Sequence, residues 1–212
     1  MTETEKPALE FWFEFGSHYS YLSVMRIEAM AAASGVALVW KPFLLGPVFR
    51  ELGMDNSPFV LNPVKGRYAW RDMQRQAQKY ALEWNQPSVF PRIALLPMRV
   101  ALLGAGESWM GAFCKRVMQQ NFVADLDIND IANVRQALAG LVPDPEAILT
   151  AAQGDDNKLR LRTQTEEAMK RALFGAPTFM VGDEMFWGND RMEDAITFAA
   201  EAVHRTQLPS NI

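Results

Sequence analysis

The sequence predicts an α/β fold in which a βαβ unit and an αββα unit are separated by an all-helical stretch. Three observations predict it. An aromatic, alternating run stands directly ahead of a helical pattern; the strand signal is lost between about Leu44 and Asp155; and it returns in a tail that carries a hairpin turn.

Leu9 to Gly16 (LEFWFEFG) alternates and places Phe11, Phe13 and Phe15 on one face, as a strand does. From His18 to Ser34 the apolar residues Leu22, Met25, Ala29 and Ala33 recur at helical spacing, and Gly35 stands where a C-terminal cap belongs. Val36 to Phe43 (VALVWKPF) reads as the second strand, which makes the pair parallel with a right-handed crossover. Helical patterns then cover Val64 to Leu82, Ile93 to Ala105, Glu107 to Val123, Ile128 to Leu138 and Pro145 to Gln153, divided by Pro, Gly and Asn/Asp breaks. A long helix is expected over Lys158 to Phe174, ending at Gly175. Thr178 to Val181, the Gly182-Asp183 turn and Glu184 to Trp187 read as a hairpin, and a last helix runs from about Asp190 to His204.

The chain has 212 residues, a formal net charge of −4 from 21 Lys+Arg and 25 Asp+Glu, and 49% hydrophobic residues. A chain of that size buries roughly 70% of its unfolded surface and needs no disulfide or metal to hold it. The acidic balance argues against a nucleic-acid binder, whose footprint is usually a basic patch. Its start, MTETEKPALE, is polar and acidic, so a signal peptide is not expected and a cytoplasmic location is. No apolar stretch reaches the roughly 18–20 residues that span a bilayer. Cys114 is the one cysteine; it forms no internal disulfide, runs no dithiol chemistry and builds no zinc site, so no metal is expected. Its helical surroundings, Phe113, Val117 and Met118, read as those of a buried structural thiol.

Ser17 falls at the turn between the first strand and its helix, where two roles are open. It is an N-cap, or its hydroxyl and the adjoining amides hold an anion. His18 follows, a packing residue or one that titrates near neutrality and alters the charge at the site. Pro177 is a boundary proline before the third strand, or part of a cis peptide that exposes the Ala176 backbone to an extended peptide ligand. Asn189 and Asp190 cap the last helix or receive a zwitterionic ligand end. Asn56 and Lys65 belong to a solvated polar and basic cluster, or Lys65 neutralises a carboxylate.

Taken together, FEFGSHYSYLS, the helical middle with LLGPVFRELG and NPVKGRYAWRD, and FGAPTFMVGDEMFWGNDRM resemble the 2-hydroxychromene-2-carboxylate isomerase and kappa-class glutathione transferase family. That family is a DsbA-like branch of the thioredoxin fold, and the resemblance runs from about Leu9 to Ala202. It implies a discontinuous thioredoxin-like domain, residues 1–45 with 156–212, and a helical insertion domain, residues 46–155. It implies glutathione as cofactor, an aromatic or enone-type acid as substrate, and a homodimer. Ser17 matches the catalytic serine that holds the glutathione sulfur where an oxidoreductase carries its attacking cysteine. Pro177 matches the cis-proline after the residue that pairs with the cysteinyl backbone, here Ala176. Asn189 and Asp190 match the pair at the γ-glutamyl end, and Asn56 and Lys65 the insertion residues near the sulfur and glycyl end.

The sequence departs from the family at His18, where proline follows the serine; around Asn56, where GMDNSPF replaces Gly-Asn with following prolines; and at Trp187, where phenylalanine is common. The implied activity is a glutathione-dependent isomerisation by reversible addition to an electron-poor alkene of an aromatic acid. The alternatives are a kappa-class-like glutathione transferase and a redox-inactive DsbA-like binding protein. A thiol–disulfide oxidoreductase is disfavoured, because Ser17 and Ser20 end the SHYS motif and a hydroxyl does not exchange disulfides. The acceptor pocket is expected between the thioredoxin part and the helical insertion, with Phe43, Trp70, Met98 and Trp109 available to line it.

Overall fold

Strand β1, Ala8–Phe13, is flanked on both sides in a four-stranded sheet with β2 (Ala37–Pro42), β3 (Thr178–Val181) and β4 (Glu184–Trp187), in the order β2-β1-β3-β4. The computed structural model describes residues 8–207, so the polar residues 1–7 lie outside it. β1 and β2 are parallel, from Ala8 opposite Ala37 to Phe13 opposite Pro42; β3 is antiparallel to β1, with Phe11 opposite Phe179. β3 and β4 form the expected hairpin, and Gly182 takes a φ of 59° in its turn.

Alternation along β1 buries both of its faces. Phe11 and Phe13 join Phe15, Trp40 and Phe179 in the larger core, while Trp12 points to the opposite face and packs with Phe43, Leu173 and Met180. Phe11 stacks on Phe179 at 5.3 Å and on Phe13 at 5.2 Å. Each such ring stabilises by about 1.5–3 kcal/mol relative to exposure, and this holds the C-terminal end of β1 rigid where the site begins.

The helix expected over 18–34 is two: α1, His18–Val24, and α2, Ile27–Ala33. The break is made at Arg26. Its N–H bonds Ser23 O in an i to i+3 turn at 3.0 Å, while its guanidinium bonds Leu22 O and Asn189 Oδ1 and lies 3.5 Å from the centre of the Tyr80 ring. Gly35, φ 67°, closes α2 as expected, with Val36 N–H to Ala31 O and Gly35 N–H to Ala32 O.

After β2 come two helices that the periodicity does not mark, α3 (Leu45–Glu51) and the single turn α4 (Pro58–Leu61). α5 (Pro63–Lys79) is capped by Asn62, whose Oδ1 accepts the Lys65 N–H at 3.0 Å. α6 (Leu95–Gly104), α7 (Met110–Phe122), α8 (Ile131–Leu138) and α9 (Pro145–Gln153) complete the helical stretch. α10, Asp155–Lys170, starts earlier and stops earlier than the expected 158–174; Ala172 turns the chain at a φ of 58°. The residues freed at its end lead into β3. A 3-10 turn, Asn189–Arg191, precedes α11 (Met192–Gln207). No helix among the described residues is long and apolar enough to cross a membrane.

Candidate active site

The chain leaves β1 through a hydrogen-bonded turn, Glu14 to Ser17, closed by Ser17 N–H to Glu14 O at 3.1 Å. Ser17 then caps α1. Its Oγ accepts the Ser20 N–H at 3.2 Å and donates to Ala176 O at 2.8 Å, across 159 residues of chain. The two roles open in the sequence thus meet in one side chain, which caps the helix and also bridges to the segment before β3.

That segment contains a cis Ala176-Pro177 bond. Pro177 O accepts the Gly188 N–H at 2.9 Å, which ties it to the start of the 3-10 turn. Ala176 is half-buried, and its N–H has no hydrogen-bond partner among the described residues. Ser17, Ala176 and Pro177 line a cavity of about 820 Å³, which falls inside the roughly 300–1,000 Å³ of small-molecule sites. The sequence-derived residues His18, Asn56, Lys65, Asn189 and Asp190 line the same cavity.

Their engagements differ. Lys65 is exposed at the first turn of α5, with Nζ 5.5 Å from the Phe59 ring. Asn56 Oδ1 accepts the Ser57 N–H at 2.7 Å. Asn189 is buried, and its Oδ1 accepts from Arg26 at 2.8 Å and from Ser23 at 3.2 Å, so its side-chain oxygen braces α1 and does not cap the last helix. Asp190 is solvent-facing and pairs with Arg191 at 3.3 Å. Arg50, on the cavity wall, makes no ion pair among the described residues.

Of the two roles open for His18, the structure fits the packing one. It does not titrate near neutrality: burial pushes its imidazole down to about 3, so it is neutral at the site. Only 1% exposed, it sits among Tyr19, Phe59, Trp70 and Phe90 with ring centres 4.5–5.2 Å away, and neither ring nitrogen has a hydrogen-bond partner. Tyr19 turns its hydroxyl to Asp72 at 2.8 Å, which fastens α1 to α5; burial and that carboxylate push the phenol up.

The group that titrates near neutrality is one the sequence reading missed. Glu14 is half-buried between Phe13 and Phe15, and burial raises its carboxyl from 4.5 to about 7 against the lowering effect of the Gly16 N–H. A carboxylate inside the aromatic run FEFG was the available signal, and only the tertiary burial decides its state.

The acceptor wall is also corrected. Phe43, Trp70, Met98 and Trp109 are not among the residues that line the cavity. Phe43 packs on Trp12, Met98 lies in the core, Trp109 packs on Phe113, and Trp70 backs His18. Apolar lining comes instead from α3 and α4, with Phe49 and Phe59, and from Phe90. At the rim, Phe174 and the half-exposed Trp187 pack together at 4.8 Å. Cys114 is fully buried, its thiol pushed well up, and it does not line the cavity.

A family model described as a DSBA-like thioredoxin domain matches residues 8–197. The chain belongs to the DSBA-like thioredoxin family. It is 30% identical over 193 residues to a protein of Pseudomonas sp. (strain C18) named 2-hydroxychromene-2-carboxylate isomerase, across 87% of this chain and 86% of the relative. It is 22% identical over 210 residues to a Caenorhabditis elegans protein named glutathione s-transferase kappa 2, across 92% of this chain and 93% of the relative. A solved 2-hydroxychromene-2-carboxylate isomerase superposes with a TM-score of 0.81 at 24% identity, covering 94% of this chain and 97% of that one. The resemblance carried by the sequence motifs, and the thioredoxin-like α/β fold it implies, are borne out.

Proposed function

We propose that this member of the DSBA-like family is a glutathione-dependent isomerase of the 2-hydroxychromene-2-carboxylate isomerase type, with Ser17 holding the glutathione sulfur. The observation that carries the reading is the 2.8 Å bond from Ser17 Oγ to Ala176 O, which sets a serine hydroxyl against the cis-proline segment at the mouth of a cavity. The relatives named as isomerases and as a kappa-class transferase support it.

The residues present fit a zwitterionic, extended tripeptide. The unpaired Ala176 N–H offers the donor that an extended peptide backbone needs. Lys65 offers a cation to a terminal carboxylate, and Asp190 offers a carboxylate to an ammonium group. Glutathione, when bound, supplies the sulfur nucleophile that adds reversibly to an electron-poor double bond and is recovered.

Ser17 Oγ donates to the sulfur, and to do so turns its proton away from Ala176 O. Asn189 holds α1 in register through Arg26 and Ser23, which keeps Ser17 at a fixed distance from Pro177. His18 and its aromatic cage exclude water beneath the site, which strengthens the hydroxyl–sulfur bond. Phe49, Phe59 and Phe90 offer flat apolar walls to an aromatic acid, whose carboxylate Arg50 can pair.

A second reading, a kappa-class-like glutathione transferase, has the worm relative's name in its favour and uses the same residues. One assay separates the two: 2-hydroxychromene-2-carboxylate is followed spectrophotometrically with and without glutathione. Conversion that needs glutathione without consuming it supports the isomerase. Consumption of glutathione supports the transferase, and conversion independent of glutathione sinks both.

A further inference from the structure

Glu14 is left unused by the proposed function, yet it opens onto the cavity from the turn that presents Ser17. The two residues are first and last in that turn, joined by the 3.1 Å bond from Ser17 N–H to Glu14 O, and both line the cavity. The Glu14 side chain folds back over the turn. A Cβ on Gly16 would lie 3.1 Å and 3.3 Å from its two oxygens. Glycine at 16 therefore leaves room for the carboxylate to lie against the backbone beside the serine.

No cation neutralises it. Among the described residues Glu14 makes no ion pair, and only burial and the Gly16 N–H act on its proton affinity. The backbone carbonyl of Arg92 lies 3.1 Å from the same Cβ position, but its guanidinium is engaged by Asn121, Ser88 and Asp125. His18, next after Ser17, is neutral. Of the other acids on the cavity wall, Asp72 is bound to Tyr19 and Asp190 to Arg191, while Asp55 is exposed to solvent. An unpaired, half-buried carboxylate favours its proton, and its affinity near neutrality lies close to that of a thiol.

We propose that Glu14 is the proton acceptor for the thiol that binds at Ser17. The S–H bond breaks, an O–H bond forms on Glu14, and the negative charge passes from carboxylate to sulfur with no proton lost to solvent. The pocket then holds a thiolate on Ser17 Oγ beside a neutral carboxylic acid, which is available as a donor to charge that develops on the acceptor substrate. The inference rests on the glutathione reading above.

The test is a count of protons. Wild type and Glu14→Gln are titrated calorimetrically with glutathione, in buffers of different ionisation enthalpy, at pH about 7.5, where the free thiol, of pKa about 8.5, is protonated. Wild type is expected to bind with close to no net proton release, because Glu14 keeps the proton. Thiolate formation is read in parallel from its ultraviolet absorbance: with the linked acceptor gone, Glu14→Gln is expected either to bind the protonated thiol, without the thiolate band, or to show the band with about one proton released per glutathione bound. A thiolate band in both proteins with equal proton counts overturns the proposal while leaving the glutathione reading intact. So does loss of binding in Glu14→Gln with melting no lower than wild type, which would make Glu14 a ligand contact. If Glu14→Gln does not fold, Glu14→Asp takes its place: it keeps a carboxylate, and a proton count matching wild type is expected, whereas release of about one proton refutes the role. Absence of any binding heat in wild type removes the glutathione reading itself, and the proposal with it.

Discussion

Replacing Ser17 by alanine removes one oxygen that holds two bonds in the folded protein, the cap accepted from Ser20 N–H at 3.2 Å and the bridge donated to Ala176 O at 2.8 Å. Loss of an N-cap costs about 1 kcal/mol, and loss of a neutral hydrogen bond about another. The expected destabilisation is therefore about 2 kcal/mol, which for a chain of this size lowers Tm by about 4–8 °C in a circular-dichroism melt. The same oxygen acts differently toward the ligand. A hydrogen bond to a charged sulfur is worth about 1.5–3 kcal/mol, but the hydroxyl surrenders its bond to Ala176 O to make it, so the net loss on binding is about 1–2 kcal/mol. Calorimetry should then find glutathione bound about 5–30-fold more weakly by Ser17→Ala. Lower Tm with unchanged affinity would reduce Ser17 to a cap. An unchanged Tm would refute the bridge to Ala176.

The two perturbed groups at the site predict pH effects of opposite sign. His18 stays neutral in the fold down to about 3, whereas the unfolded chain protonates it below 6.5, so its contribution is full above 6.5 and is lost as pH falls toward 3. Chemical denaturation at pH 7.5 and 4.5 should show wild type losing about 2–3 kcal/mol that His18→Phe retains, while parallel losses in both would contradict the burial argument. Glu14 keeps its proton in the fold up to about 7 against 4.5 unfolded, so its penalty grows as pH rises through that window and persists above it. With its partial exposure discounted, the penalty is about 1–3 kcal/mol, and Glu14→Gln should be the more stable protein at pH 8 and equal to wild type at pH 4. A less stable Glu14→Gln at pH 8 would be incompatible with an unpaired carboxylate. Gly66→Ala places a Cβ 2.3 Å from Phe59 O, so α4 must move off α5, at a cost of about 1–3 kcal/mol with weaker glutathione binding. Wild-type melting and affinity in that variant would show that this wall is not fixed.

Elements set by local signals were legible in the chain. α9 begins at Asp144-Pro145, a cap and an N1 proline, and the Gly182 hairpin follows from a turn that needs positive φ. The division of α1 from α2 was not, because Arg26 is anchored by Asn189 from far along the chain. α3 and α4 are too short to show a period, and prolines occupy their first turns. At the site, Ser17 and Pro177 were recognisable from motifs, whereas the state of His18 and of Glu14 depends on what buries them. The acceptor wall failed for a related reason: Trp70 and Phe59 are equally aromatic in sequence, and only the packing of α4 on α5 decides that Phe59 lines the cavity while Trp70 backs His18.

The central claim is that the serine at the β1–α1 turn and the cis-proline segment together hold glutathione. A crystal structure after a soak in millimolar glutathione tests it most directly. The account predicts the sulfur within hydrogen-bond distance of Ser17 Oγ, the cysteinyl backbone paired with Ala176, and the two peptide ends near Lys65 and Asp190. A cavity without glutathione, or a sulfur directed away from Ser17, would contradict it.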